Sequence, residues 1–329
     1  MIARRTLLAA APAALAAPAL APRALAQNAG RYPDRPVTIV VAFAAGGSTD
    51  LVGRMLAGHF SRDVGGSFVV ENRPGASGTV GHAAVARARP DGHTLLVGAN
   101  STYAMARHLF PGRGYDDDRA FVGVGQMALT PIILCVRPDL GVRTVGELVE
   151  RLRRDGRRMS YASSGAGSSA HIATEMFLRA TGTEMQNVTY RGGVPAAQAL
   201  LQGEVQMVFV DAINVLPQMA AGNFLGLGVC GTERSRFAPD TPTLAEAGVR
   251  GMEADSRFAL FAPAGTPDAV VKRLSESAAG AVRSPEVIGR WEAAAIVPAY
   301  STPDAWPALV GAESERYREV IESRGIRPE

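Results

Sequence analysis

The sequence predicts an α/β protein of two domains with a site between them. Three observations lead there. Short apolar, β-branched runs alternate with amphipathic helical stretches along most of the chain, the pattern of parallel strands covered on both faces by helices. Two loops in separate halves share one construction: a strand, then glycine with small hydroxylated residues, then a helix start. The length of 329 residues is enough for two sizeable cores.

Residues 1–26 stand apart from this pattern. Arg4 and Arg5 precede an alanine-rich apolar run over 6–21, and Ala24-Leu25-Ala26 is a small-x-small cleavage site, so an export signal is expected. It suits either the twin-arginine or the general secretory route. No later stretch approaches the ~20 apolar residues of a membrane span. The net charge of +3 comes from Arg4, Arg5 and Arg23, so the remainder is near neutral and carries no basic stripe for nucleic acid; RLRRDGRR at 151–158 reads as a solvated helix end.

The first unit sets the theme. Residues 37–43 form a buried strand, and the apolar positions Leu51, Val52, Met55, Leu56 and Phe60 follow at helical spacing, with Ser48 or Thr49 as the expected cap. Ala44, Ala45, Gly46, Gly47 and Ser48 occupy the turn, where unpaired N–H groups and the helix dipole suit an anion. The same loop also reads as an ordinary strand-to-helix turn. Asp50 is either a first-turn helix residue or an acceptor for a ligand hydroxyl or amine, for water or for backbone N–H groups.

Next come a strand at 67–71, a turn-rich loop at 72–78 containing Ser77, and a helix at 80–88. The tight turn at 90–92 leads to a strand at 94–98, which ends on Asn100 and Ser101. Ligands of parallel sheets collect at the carboxyl ends of strands, so these three polar ends should face one crevice. Residues 121–136 are expected to carry the chain into a second domain, with a helix over 147–154 and a strand over 159–162.

Ser163, Ser164, Gly165, Ala166, Gly167, Ser168 and His171 then repeat the anion-suited construction ahead of a helix bearing Ile172, Met176 and Phe177. Two such loops suggest a carboxylate clamped between domains. Arg191, in VTYRGGVP at 188–195, is either a bidentate partner for that carboxylate or an exposed turn arginine. Asp211, ending the strand at 206–210, would accept hydrogen bonds. Cys135 and Cys230 read as a disulfide or as two small core residues, and His59, His82, His93, His108 and His171 lack metal-ligand spacing; no metal or cofactor is expected.

The chain also resembles a known family. YPDRPVTIVV at 32–41, FAAGGSTD at 43–50, VVENRPGASG at 69–78, PDGHTLL at 90–96, YASSGAGSSAH at 161–171, YRG at 190–192, PTLAEAG at 242–248 and APAGTP at 262–267 are similar, in order, to the tripartite tricarboxylate transporter solute receptors, or Bug proteins. The resemblance implies a type II-like periplasmic binding fold. Domain 1 would comprise residues 27–127 and 251–329, and domain 2 residues 128–250. It implies a monomeric receptor that holds a di- or tricarboxylate, acidic amino acid or aromatic acid on the loops 44–50 and 163–171, with a two-component membrane permease as partner and no catalysis. A sensor for a membrane kinase is the alternative output.

Four departures from the family pattern concern the ligand: Ala45 stands where proline is usual, His93 where tyrosine is usual, RFALF at 257–261 lacks the usual aromatic, and the usual asparagine-proline is replaced near Ala106 and Arg107. Arg107 or Arg257, facing the cleft, would favour a second acidic group. Enzyme readings are weaker. GLGVCG at 226–231 matches a dinucleotide fingerprint literally, but a polar, proline-bearing stretch follows where the phosphate-binding helix must begin. Ser164, Ser168 and His171 are close in sequence without a nucleophile elbow, which leaves a hydrolase a remote reading.

Overall fold

The computed structural model describes residues 32–327; the export signal expected over 1–26 lies outside the described residues. β1 (Val37–Val41) is the buried strand expected and turns into α1 (Ser48–Asp63). β2 (Phe68–Asn72) and β3 (Thr94–Ala99) pair with β1 in parallel, and α2 (Thr79–Ala86) connects them. Parallel neighbours require such crossovers, which bury the strands on both faces. Val52, Leu56 and Phe60 of α1 accordingly pack on Val37, Ile39 and Val41.

β4 (Phe121–Val136) departs from the expected parallel pattern. Its sixteen residues cover roughly 50 Å when extended, longer than one small sheet is wide. Beyond it lie α3 (Val145–Asp155), β5 (Ser160–Ser163), α4 (Ser169–Thr181), β6 (Gln186–Thr189), α5 (Gly193–Gln202), β7 (Met207–Asp211), α6 (Ala212–Ala220) and β8 (Leu225–Val229). The chain then returns through β9 (Asp255–Pro263), α7 (Asp268–Ala281), α8 (Pro285–Ala293), the two-residue β10 (Val297–Pro298) and α9 (Trp306–Arg324). The strand order is β2-β1-β3-β9-β4-β7-β5-β6, with β8 and β10 also on β4.

The outer pairs are parallel, but β4 runs antiparallel to every partner. Residues 121–131 pair with β9, and residues 132–136 pair with β7 and β8, so one strand runs through two strand sets. α9 does the same with side chains. Trp306 and Val310 pack with Ala259 and Phe261, whereas Tyr317, Val320 and Ile321 pack with Ile172 and Phe177. Cys135 and Cys230 are both buried free thiols, which settles them as core residues, and the glycines of GLGVCG lie in and just after β8 rather than in a phosphate loop.

His82 of α2 sits among the rings of Tyr115, Phe121 and Phe261, with neither ring nitrogen hydrogen-bonded. Burial pulls its pKa down to about 3. Between the ordinary histidine value and that one, the unfolded chain binds the extra proton, so stability falls as pH falls. The limiting slope is about 1.4 kcal/mol per pH unit. His82→Leu is expected to flatten the loss between pH 6.5 and 4.5, read from urea midpoints; an unchanged slope would assign the acid sensitivity to other groups.

Candidate ligand cavity

Because each parallel strand ends where a helix begins, helix N-termini gather on one side of the sheet. Five of them reach the wall of a single cavity of about 700 Å³: α1 at Gly47, Ser48 and Thr49, α2 at Gly78, α4 at Ser168, Ser169 and Ala170, α5 at Gly192, Gly193 and Val194, and α6 at Asp211. The first N–H groups of a helix have no partner within it. At α1, α2 and α5 the cap is glycine, which offers no side-chain acceptor. Unused donors and the positive ends of helix dipoles therefore converge on the space, while Phe43, Phe110 and Phe258 supply an apolar part of the wall.

The cap expected at Ser48 or Thr49 is not formed. Gly47 is the cap, and Ser48 Oγ instead donates to Asp211 Oδ2 at 2.7 Å. Ser256 Oγ donates to Asp211 Oδ1 at 2.6 Å. One carboxylate of the second strand set thus holds two hydroxyls of the first. Burial pushes the Asp211 carboxyl above the usual range, partly opposed by those two hydroxyls. Ser77 Oγ donates to the carbonyl of Ala166, and Ser169 Oγ donates to Asn100 Oδ1 at 2.9 Å, so loops of the two halves touch at three points around the cavity.

Of the residues singled out from sequence, Ala44, Ala45, Gly47, Ser48, Ser77, Ser101, Ser164, Gly165, Ala166, Ser168, Arg191 and Asp211 line the cavity. The three polar strand ends expected to share a crevice do so through Ser48, Ser77 and Ser101. Arg191 is exposed, and its side chain makes no hydrogen bond or ion pair among the described residues.

Gly46, Asp50, Asn100, Ser163, Gly167 and His171 stand off the wall; all but Ser163, whose buried hydroxyl has no hydrogen-bond partner among the described residues, are engaged elsewhere. Asp50 accepts from Arg54 Nε at 2.8 Å, from Asn72 Nδ2 at 2.8 Å and from the Gly46 N–H at 3.0 Å. Burial alone would raise the Asp50 pKa, but these bonds outweigh it and hold the carboxyl below its ordinary value. It braces the turn from the first turn of α1, accepting from two side chains and one backbone N–H. The Gly167 N–H donates to His171 Nδ1 at 2.9 Å, a brace for the second loop, and Ser163 is fully buried behind it.

Asn100 is fully buried and donates to the Asp255 carbonyl at 2.9 Å and to Glu313 Oε1 at 3.2 Å. Neither arginine proposed for a second acidic group reaches the cavity. Arg107 pairs with Asp118 at 3.0 Å, and Arg257 pairs with Asp255 at 2.7 Å. Sequence reasoning placed Ser169 only as part of the 163–171 loop and missed Asn214, Ser256 and the phenylalanines of the wall. Asn214 lies one helical turn after Asp211, a spacing that could have been noticed. Ser256 sits inside an apolar strand, where nothing local marks it.

The sequence profile of the tripartite tricarboxylate transporter family receptor matches residues 52–326. The chain belongs to that receptor family. The receptor is similar to three solved structures. Rpa4515 of R. palustris with adipate is 34% identical with a TM-score of 0.86, covering 91% of this chain and 100% of that one. The periplasmic binding protein BugD is 31% identical at a TM-score of 0.84, with the same coverage. MatC (Rpa3494) of Rhodopseudomonas palustris with bound malate is 31% identical at 0.83, covering 88% of this receptor and 100% of MatC. The receptor's fold is therefore the two-domain periplasmic binding protein fold that the sequence resemblance implied.

Proposed function

We propose that the receptor captures a small organic carboxylate between its two lobes outside the cytoplasm and passes it to a membrane permease of the tripartite tricarboxylate type. The observation that carries this reading is the convergence of five helix N-termini on one cavity, where a carboxylate can replace water on several N–H groups at once. The adipate and malate held by two similar proteins support it. Among the described residues the wall has a single carboxylate, Asp211, and no histidine or cysteine, which suits holding a ligand better than converting one.

We take the lobes to be residues 27–127 with 251–329, and residues 128–250. A ligand on the Gly47 loop then gains contacts with the Gly165 loop only when the lobes are closed, and that difference in affinity drives closure. Thermal shift of the purified receptor against mono-, di- and tricarboxylates, with sugars and amines as controls, tests the reading. Stabilisation of about 2.7 kcal/mol is expected at a carboxylate concentration of a hundred Kd. Stabilisation by a sugar or an amine, with none by any carboxylate, would overturn it.

A further inference from the structure

The cavity wall places a carboxylate one hydroxyl away from a helix N-terminus. Ser48 is the first residue of α1, and its Oγ reaches Asp211 Oδ2 at 2.7 Å. An oxyanion that takes the free N–H groups of Ser48 and Thr49 therefore shares Ser48 with the Asp211 carboxylate, the backbone N–H of that residue meeting the one and its hydroxyl the other. Two such anions repel unless a donor stands between them. Asp211 can take that donor: each of its oxygens accepts one serine hydroxyl and keeps a further lone pair. Asn214, one turn further along α6, lines the same wall with its side-chain amide unbonded among the described residues, and its Nδ2 lies beside Gly193 at the start of α5.

Resting on the carboxylate-capture reading, we propose that Asp211, with Asn214 beside it, is the specificity determinant of the cavity. It selects carboxylates that carry a hydroxyl or ammonium group on the carbon α or β to the carboxylate over plain carboxylates of the same length. The ligand carboxylate sits on the helix N-termini, and its substituent donates to Asp211 in the gap between the two anions. A plain carboxylate leaves that gap to water or to bare repulsion. Among the described residues Asp211 is the only acidic one on the wall, and the only cation there, Arg191, is exposed, so no other lining charge competes for the substituent.

Matched pairs read the selection directly: malate or aspartate against succinate, 2-hydroxyadipate against adipate, and phenyllactate against phenylpropanoate, with Kd measured by calorimetry on the purified receptor. The substituted member is expected to bind about tenfold to a hundredfold tighter, the range of one hydrogen bond to a charged group. In Asp211→Asn the ratio should fall to within about threefold. Any general weakening of the serine bridge is common to both members of a pair and cancels. Asn214→Ala leaves the bridge untouched and should lower the same ratio about threefold. Binding with a wild-type ratio near one, or a ratio that survives Asp211→Asn, overturns the selection and leaves carboxylate capture standing. Tighter binding of plain carboxylates by Asp211→Asn would instead identify Asp211 as a proton-carrying donor and overturn the proposal. Failure of every pair to bind overturns capture and selection together.

Discussion

A Gly47→Val receptor is expected to lose carboxylate binding by at least about a hundredfold, some 2.7 kcal/mol, and to unfold within about 4 °C of the parent. The two halves of that expectation have different sources. Gly47 has φ −87° and ψ 176°, an extended conformation that a β-branched residue adopts readily, and a Cβ there would meet nothing closer than the Ala44 carbonyl at 3.9 Å. The fold therefore tolerates the side chain, apart from the roughly 1 kcal/mol that a poor cap costs. The ligand does not. The new methyls stand where an anion must approach the first N–H groups of α1. Gly46→Val is the contrasting variant: φ is +86° at Gly46, so strain would lower stability first. Parent-like affinity in Gly47→Val would remove the α1 terminus from the site.

Asn100→Leu is expected to cost about 3–5 kcal/mol of stability, on the order of 10 °C in unfolding temperature, and to weaken all ligands alike. The side chain donates to the Asp255 carbonyl and the Glu313 carboxylate, and its own oxygen accepts from Ser169 Oγ and from the Arg257 N–H at 3.3 Å. Burial already pushes the Glu313 carboxyl above its usual range, against the pull of Arg257 at 3.6 Å and of the Asn100 amide. Leucine strands all of these groups in the interior at once. If instead the variant keeps parent-like stability and loses affinity for some carboxylates only, Asn100 contacts ligand, as its place after β3 had suggested.

That suggestion marks the boundary of what the sequence discloses. β1, α1 and the two glycine-bearing loops were legible because strand, turn and helix are each encoded within a few neighbouring residues. The antiparallel course of β4 was not, because strand direction depends on partners more than a hundred residues away, as when Phe121 faces Pro263. The same division runs through the site. Most of the expected loop residues line the cavity, whereas Gly46, Ser163 and Gly167 stand behind it. The aim of some side chains was not legible: His171 turns to the Gly167 N–H and Arg257 to Asp255, while Asp50, left open in the sequence, turns to Arg54 and Asn72. Ser48 looked like a cap because serine at a helix start usually is one; the half-buried acceptor that claims its hydroxyl lies 163 positions later.

The placement of α9 bears on how the receptor is made. Because Trp306 completes one core and Tyr317 another, neither half can bury its apolar side chains fully until residues 306–324 have been synthesised. Ribosome-stalled chains ending before residue 306 should be cut by protease in both halves; resistance in either would show that it matures early. A polypeptide so constructed completes both of its interiors in one late step, when its last helix joins them.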